Sequence, residues 1–154
     1  MDDPLLNLGA QPKHWNVCFS TTGLAPWLDR LIPGRFKHVR AFGFVPLEGL
    51  WIFVDCNLMG LQVKAARDKS QACDILTRAW ISDSEVVLVP HRERRRLLPG
   101  LYCAGAIGRL IGAPGGALLP STLHRQCLAT GGKLFDEGSA PSASCSGGPA
   151  RSGA

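Results

Sequence analysis

The sequence lacks any long apolar run. No stretch approaches the roughly 20 residues that cross a bilayer, so a membrane-spanning helix is excluded. The first residues, Met1-Asp2-Asp3-Pro4, are acidic and no apolar segment follows, so no secretory signal is expected. Closely spaced cysteines are also missing. The six cysteines stand at 18, 56, 73, 103, 127 and 145, with no CxxC or CxxH pair, which argues against a zinc knuckle. With no signal sequence, a reducing compartment is expected, with thiols rather than disulfides. The expected location is cytoplasmic, or virion-associated if an assembly carries the chain out. No internal repeat is visible, and no aromatic residue interleaves the basic run 91–96 to support base stacking.

The 154 residues are 45% hydrophobic and 19% charged, which describes one globular domain with a real core. The net charge of +5 favours anionic partners without choosing among nucleic acid, lipid and cell-wall polymer. Residues 1–14 read as a lead-in, 15–135 as the domain, and 136–154 as a disordered tail of Gly, Ser, Ala and Pro.

Strands are expected at 15–20, 38–45, 50–56, 61–66 and 85–90, where β-branched and aromatic residues concentrate. A short helix over 24–32 would turn Leu24, Trp27, Leu28 and Leu31 to one side, with Pro26 in its first turn. A second would run from Asp68 or Ser70 to Trp80, with Cys73, Leu76 and Trp80 on one face. A third, 103–112, follows the Pro99-Gly100 break and carries an Ile107/Leu110/Ile111 stripe. A fourth opens at Pro120-Ser121 and ends at Gly131-Gly132. The four tryptophans Trp15, Trp27, Trp51 and Trp80 are spaced as core residues of separate elements. The fold class is α+β, with a small antiparallel sheet packed against the helix that begins at Cys103.

The turn Pro46-Leu47-Glu48-Gly49 sets a hairpin register. Centred between Leu47 and Glu48, it places Arg40 opposite Asp55 and makes His38 a diagonal neighbour of Asp55, with Cα atoms roughly 7–8 Å apart. His38, Arg40, Phe42 and Phe44 then share a face with Trp51, Phe53, Asp55 and Asn57, while Val39, Ala41, Val45, Leu50, Ile52, Val54 and Cys56 form an apolar face. Cys103 sits at a helix N-terminus, where the helix dipole favours a thiolate. A cysteine, a histidine to take its proton and a carboxylate to orient the ring are the parts of a thiol nucleophile. Backbone N–H groups at the helix start can receive an oxyanion. Cys103, His38 and Asp55 are the candidate catalytic residues. Trp51 and Tyr102 are candidates for the substrate groove. Taken singly, Cys103 also reads as a buried structural thiol, His38 as a satisfied strand-end histidine and Asp55 as a turn former.

The order of a histidine strand, an acid on the next strand and then a cysteine helix resembles the circularly permuted branch of the NlpC-type, papain-like cysteine peptidases and acyltransferases. Tyr102-Cys103-Ala104-Gly105-Ala106-Ile107 is similar to the family's Cys-Ser-Gly-apolar helix start, with Ala104 for Ser. Lys37-His38-Val39 is similar to its His-apolar strand, and Trp51-Ile52-Phe53-Val54-Asp55 to its apolar strand ending in an acid. Pro120-Ser121-Thr122-Leu123 is similar to the segment leading its closing helix. Permuted members usually carry Glu where Asp55 stands. The resemblance covers roughly residues 15–132 in element order. It implies a hydrolase or acyl transferase acting on an amide, ester or thioester, with a peptide-like or lipid acyl substrate and no metal or organic cofactor.

Cys18 is the rival nucleophile, although no helix start is near it. His14 falls in the lead-in, His91 in the basic run and His124 on an exposed-looking part of the last helix. A reading from another class remains: a non-catalytic, virion-associated binding or assembly protein that holds an anionic partner through the Arg-rich stretch 92–96.

Overall fold

Antiparallel strands and short helices build the chain, described in a computed structural model over residues 11–23, 25–57, 60–79, 84–92 and 102–135. The strands are β1 (His14–Ser20), β2 (His38–Val45), β3 (Leu50–Asn57), β4 (Gly60–Ala66), β5 (Ser84–Pro90) and β6 (Lys133–Leu134). The helices are α1 (Pro26–Leu31), α2 (Lys69–Ala79), α3 (Cys103–Leu110) and α4 (Pro120–Ala129). All six strands join one antiparallel sheet in the order β4-β3-β2-β1-β5-β6, so the architecture is α+β. The strand β6 was not expected from the sequence. His14, expected in the lead-in, opens β1. The lead-in up to residue 10, Trp80, residues 93–101 and the tail 136–154 lie outside the described residues.

The turn after β2 forms as its sequence dictates. Gly49 takes φ +58°, a conformation that side chains disfavour, and its N–H reaches the Pro46 carbonyl oxygen. The register that follows pairs Arg40 with Asp55, Phe42 with Phe53 and Phe44 with Trp51.

Strand alternation divides the core in two. Val17, Phe19, Val39, Ala41, Val54, Val87 and Val89 meet Ala104, Ile107 and Ile111 of the α3 segment, and Leu123 and Cys127 of α4. On the other side, Cys18, Phe42, Phe53, Ala66 and Val86 meet Ala72, Ile75 and Leu76 on or beside α2. The α2 stripe thus runs through Ala72, Ile75 and Leu76, with Cys73 half-buried beside it. The expected apolar stripe of α1 faces no core: no residue of Pro26–Leu31 is buried, Trp27 and Leu31 are 61% and 70% exposed, and Leu24 lies outside the described residues. Trp15 is buried as expected. No helix among the described residues is long and apolar enough to cross a membrane.

Candidate functional site

His38 opens β2, and the two residues that lead into it are tied to neighbouring elements. The Lys37 N–H donates to the Ser20 carbonyl oxygen at 2.8 Å, and the Phe36 N–H donates to Ser121 Oγ on α4 at 3.3 Å. Phe36 packs into the α3/α4 side of the core, where strict alternation back from Val39 would place it on the other side. His38 sits at that changeover. Its side chain is almost wholly buried. Nε2 lies 2.7 Å from Asp55 Oδ1 on β3, the diagonal pairing expected from the hairpin. The Cys103 thiol lies near enough to the ring for the two groups to act on each other electrostatically. The structure therefore brings Cys103, His38 and Asp55 together, with the imidazole between carboxylate and thiol.

Cys103 reaches this point because Ile107 and Ala104, both fully buried, seat α3 on the sheet. The start of α3 has no side-chain cap: Tyr102 stands at the N-cap in extended conformation. First-turn N–H groups of a helix have no intrahelical acceptor and present partial positive charge.

The electrostatics couple the three residues. Burial disfavours charge on His38, but the Asp55 hydrogen bond and the negative charge of Asp55 and Cys103 outweigh it and raise its pKa to about 9. Burial likewise opposes ionisation of Asp55. The His38 hydrogen bond and the positive charges of His38, Arg40 and Lys64 prevail, and hold its carboxyl below the usual range. Arg40 Nε lies 3.3 Å from Asp55 Oδ2, so both carboxylate oxygens face a cationic partner. The sequence register placed Arg40 opposite Asp55 but assigned it no role.

The rival thiols differ. Cys18 is fully buried, and burial pushes its thiol up to about 12, with Arg40 offsetting only part. Cys127 is pushed up to about 12 by burial alone. Cys56, half-buried, is raised by burial and by the nearby negative charge of Cys103 and Asp55. None of the five described cysteines is in a disulfide, and Cys145 lies outside the described residues.

The two groove candidates separate. Tyr102 is adjacent to Cys103 and 59% exposed, well placed to meet a ligand. Trp51 is not brought to the site. It stands four residues along β3 from Asp55, roughly 13 Å at strand rise. There it packs with Phe44 and Phe42 on the α2 side of the sheet.

His124 is a second correction. Its side chain is 13% exposed, with Nε2 2.6 Å from Glu85 Oε1 and its ring against Phe19 and Phe36. Arg35 binds the other oxygen of Glu85 at 3.1 Å. This cluster ties α4 to β5. Of the basic run, His91 Nδ1 accepts from the Trp15 indole N–H, and the Arg92 guanidinium donates to the Thr130 carbonyl oxygen at 2.6 Å. Residues 93–96 lie outside the described residues. Among the described residues, no group of three or more His, Cys, Asp or Glu converges on a point that could hold a metal ion.

No protein-family model matches this chain, and no curated protein or solved structure matches it either.

Proposed function

We propose that the protein is a cysteine hydrolase or acyltransferase acting at an amide, ester or thioester carbonyl, in the element order of the circularly permuted NlpC-type, papain-like enzymes. The observation that carries this reading is the buried His38 ring held between the Asp55 carboxylate and the Cys103 thiol at a helix start.

With its pKa raised to about 9, His38 is an imidazolium at neutral pH, the partner that stabilises a thiolate. The Cys103 thiolate attacks the substrate carbonyl carbon and pushes the carbonyl electrons onto oxygen. Uncapped N–H groups of the first turn of α3, that of Cys103 included, receive the oxyanion. As the tetrahedral species collapses, His38 gives its proton to the leaving amine, alcohol or thiol, and the acyl group stays on Cys103. His38, now neutral, takes a proton from water or from an acceptor alcohol or amine, whose attack releases the acyl group. Asp55 holds the ring in orientation and supports its charge in both halves.

The anion-binding alternative draws no support from Arg92, whose guanidinium is already engaged by Thr130.

The test is alkylation by iodoacetamide at pH 7, mapped by mass spectrometry, together with turnover of a chromogenic acyl thioester. Cys103 is expected to be the fast-reacting thiol. Cys103→Ala should abolish turnover, and His38→Ala should slow it by about 10²–10⁴-fold. Fast labelling of Cys18, Cys56 or Cys73 in place of Cys103 would overturn the reading.

A further inference from the structure

We infer that Arg40 is a positioning residue of this site, a cation that fixes the Asp55 carboxylate and balances the buried charge so that Cys103 can carry a negative one. The inference rests on the proposed reading of Cys103, His38 and Asp55.

The placement is set by backbone pairing. Arg40 lies on β2 directly between Cys18 of β1 and Asp55 of β3. It is two residues from His38, and so on the same side of the strand by alternation. Its Nε is 3.3 Å from Asp55 Oδ2, while Oδ1 of the same carboxylate is 2.7 Å from His38 Nε2. A carboxylate gripped at one oxygen only can rotate about its Cβ–Cγ bond. The ion pair at Oδ2, close in distance though not aligned as a hydrogen bond, favours one orientation of the carboxylate, and with it of the imidazole that depends on it.

The second part of the argument is charge balance. In space the groups run Arg40, Asp55, His38, Cys103, alternating positive, negative, positive and negative once the thiol ionises. The set sums to zero. Without Arg40, two negative groups share one buried imidazolium, and a protein interior resists such a net charge by keeping the thiol protonated. Among the described residues, the remaining titratable groups around this set are Cys18 on β1, Cys56 on β3 and Lys64 on β4. The two thiols are raised by burial, and Lys64 is exposed, so neither kind supplies a buried cation in place of Arg40.

The experiment is the pH profile of Cys103 alkylation by iodoacetamide in the full-length protein. Arg40→Gln is expected to raise the midpoint of the profile by about half a pH unit or more, equivalent to alkylation about threefold slower at pH values below the midpoint. Arg40→Lys, which keeps a charge but loses the planar guanidinium, is expected to raise it by less. Arg35→Gln removes a 68%-exposed cation from the separate Glu85 cluster and should leave the midpoint in place. If Arg40→Gln does not fold by circular dichroism, Arg40→Lys decides, and an unshifted midpoint there overturns the inference. An unshifted midpoint in a folded Arg40→Gln, or an equal shift in Arg35→Gln, overturns it as well. A wild-type profile with no fast-reacting Cys103 refutes the underlying reading instead, so the two failures are distinguishable.

Discussion

Replacing Asp55 by Asn changes one charge and almost no volume, and the structure fixes what that charge does. Asp55 Oδ1 lies 2.7 Å from His38 Nε2, and this contact and its charge help raise the His38 pKa from 6.5 to about 9. The imidazole is therefore held protonated more tightly in the folded protein than in the unfolded chain. That stabilisation is fully present below pH 6.5 and is lost as the pH rises through about 9. At roughly 1.4 kcal/mol per pH unit, the rise is worth about 3 kcal/mol. In Asp55→Asn the amide oxygen can still accept from Nε2–H, but the charge is gone. Burial, the largest single influence on the ring, then pulls its pKa down.

The assay is urea unfolding followed by tryptophan fluorescence from pH 6 to 9.5 under reducing conditions. The wild type is expected to lose stability steadily between pH 6.5 and 9, and Asp55→Asn to lose most of that slope. Arg40 left facing a neutral amide adds a further cost in the variant. It does not vary with pH in this window, and the raised thiols of Cys18, Cys56 and Cys127 are present in both proteins, so the difference in slope between them reports the His38 contribution. On the acid side the sign reverses. The lowered pKa of Asp55 gives the wild type stability that is present above the ordinary 3.8 and lost as the pH falls through the lowered folded value. A wild-type stability that stays flat from pH 6.5 to 9, or an unchanged slope in Asp55→Asn, refutes the coupling.

Other substitutions probe how the site is carried. Gly112→Ala puts a side chain at φ +68° and drives its Cβ into the Arg92 backbone, so a loss of more than about 2 kcal/mol is expected in thermal melts. Ile107→Ala empties a fully buried position under α3 and should cost about 3 kcal/mol in urea unfolding. His124→Ala removes the hydrogen bond to Glu85 and the contacts with Phe19 and Phe36, for a loss of about 2 kcal/mol. Its Cys103 alkylation rate should stay at the wild-type value, because His124 belongs to the α4 anchor.

The hairpin was legible because a four-residue turn and two runs of β-branched and aromatic residues leave little freedom of register. The Arg40–Asp55 pair, and with it the His38–Asp55 contact, followed from counting residues back from Pro46 and Gly49. The start of α3 was legible from the Pro-Gly break and the apolar spacing behind Cys103. Other features are tertiary. The face holding Trp51 was read correctly, but a strand pattern does not say from which side a helix approaches, and α3 approaches from the opposite one. The α1 stripe looks apolar to any periodicity argument, yet Trp27 and Leu31 have no core to face. His124 seemed exposed because its aromatic neighbours Phe19 and Phe36 and its partner Glu85 lie on distant segments. Strand β6 has two residues, too few to carry a pattern.

The split core explains why the candidate site forms where it does. Asp55 belongs by alternation to the sheet side that carries Phe53 and α2, while Cys103 belongs to the side that carries Val54 and α3. A side chain in the middle of a strand serves one face and could meet only one of these groups. A residue at the first position of a strand, where alternation has just begun, can be reached from both sides. His38 is that residue in β2, and the preceding residues Phe36 and Lys37 donate their N–H groups to Ser121 Oγ of α4 and to the Ser20 carbonyl oxygen of β1. The ring is thus held at the end of the sheet by groups that take no part in the proposed chemistry, and carboxylate and thiol converge on it from opposite sides. A one-residue slip of β2 against β3 would take Asp55 from the ring. A one-turn displacement of α3, about 5.4 Å along its axis, would take the thiol.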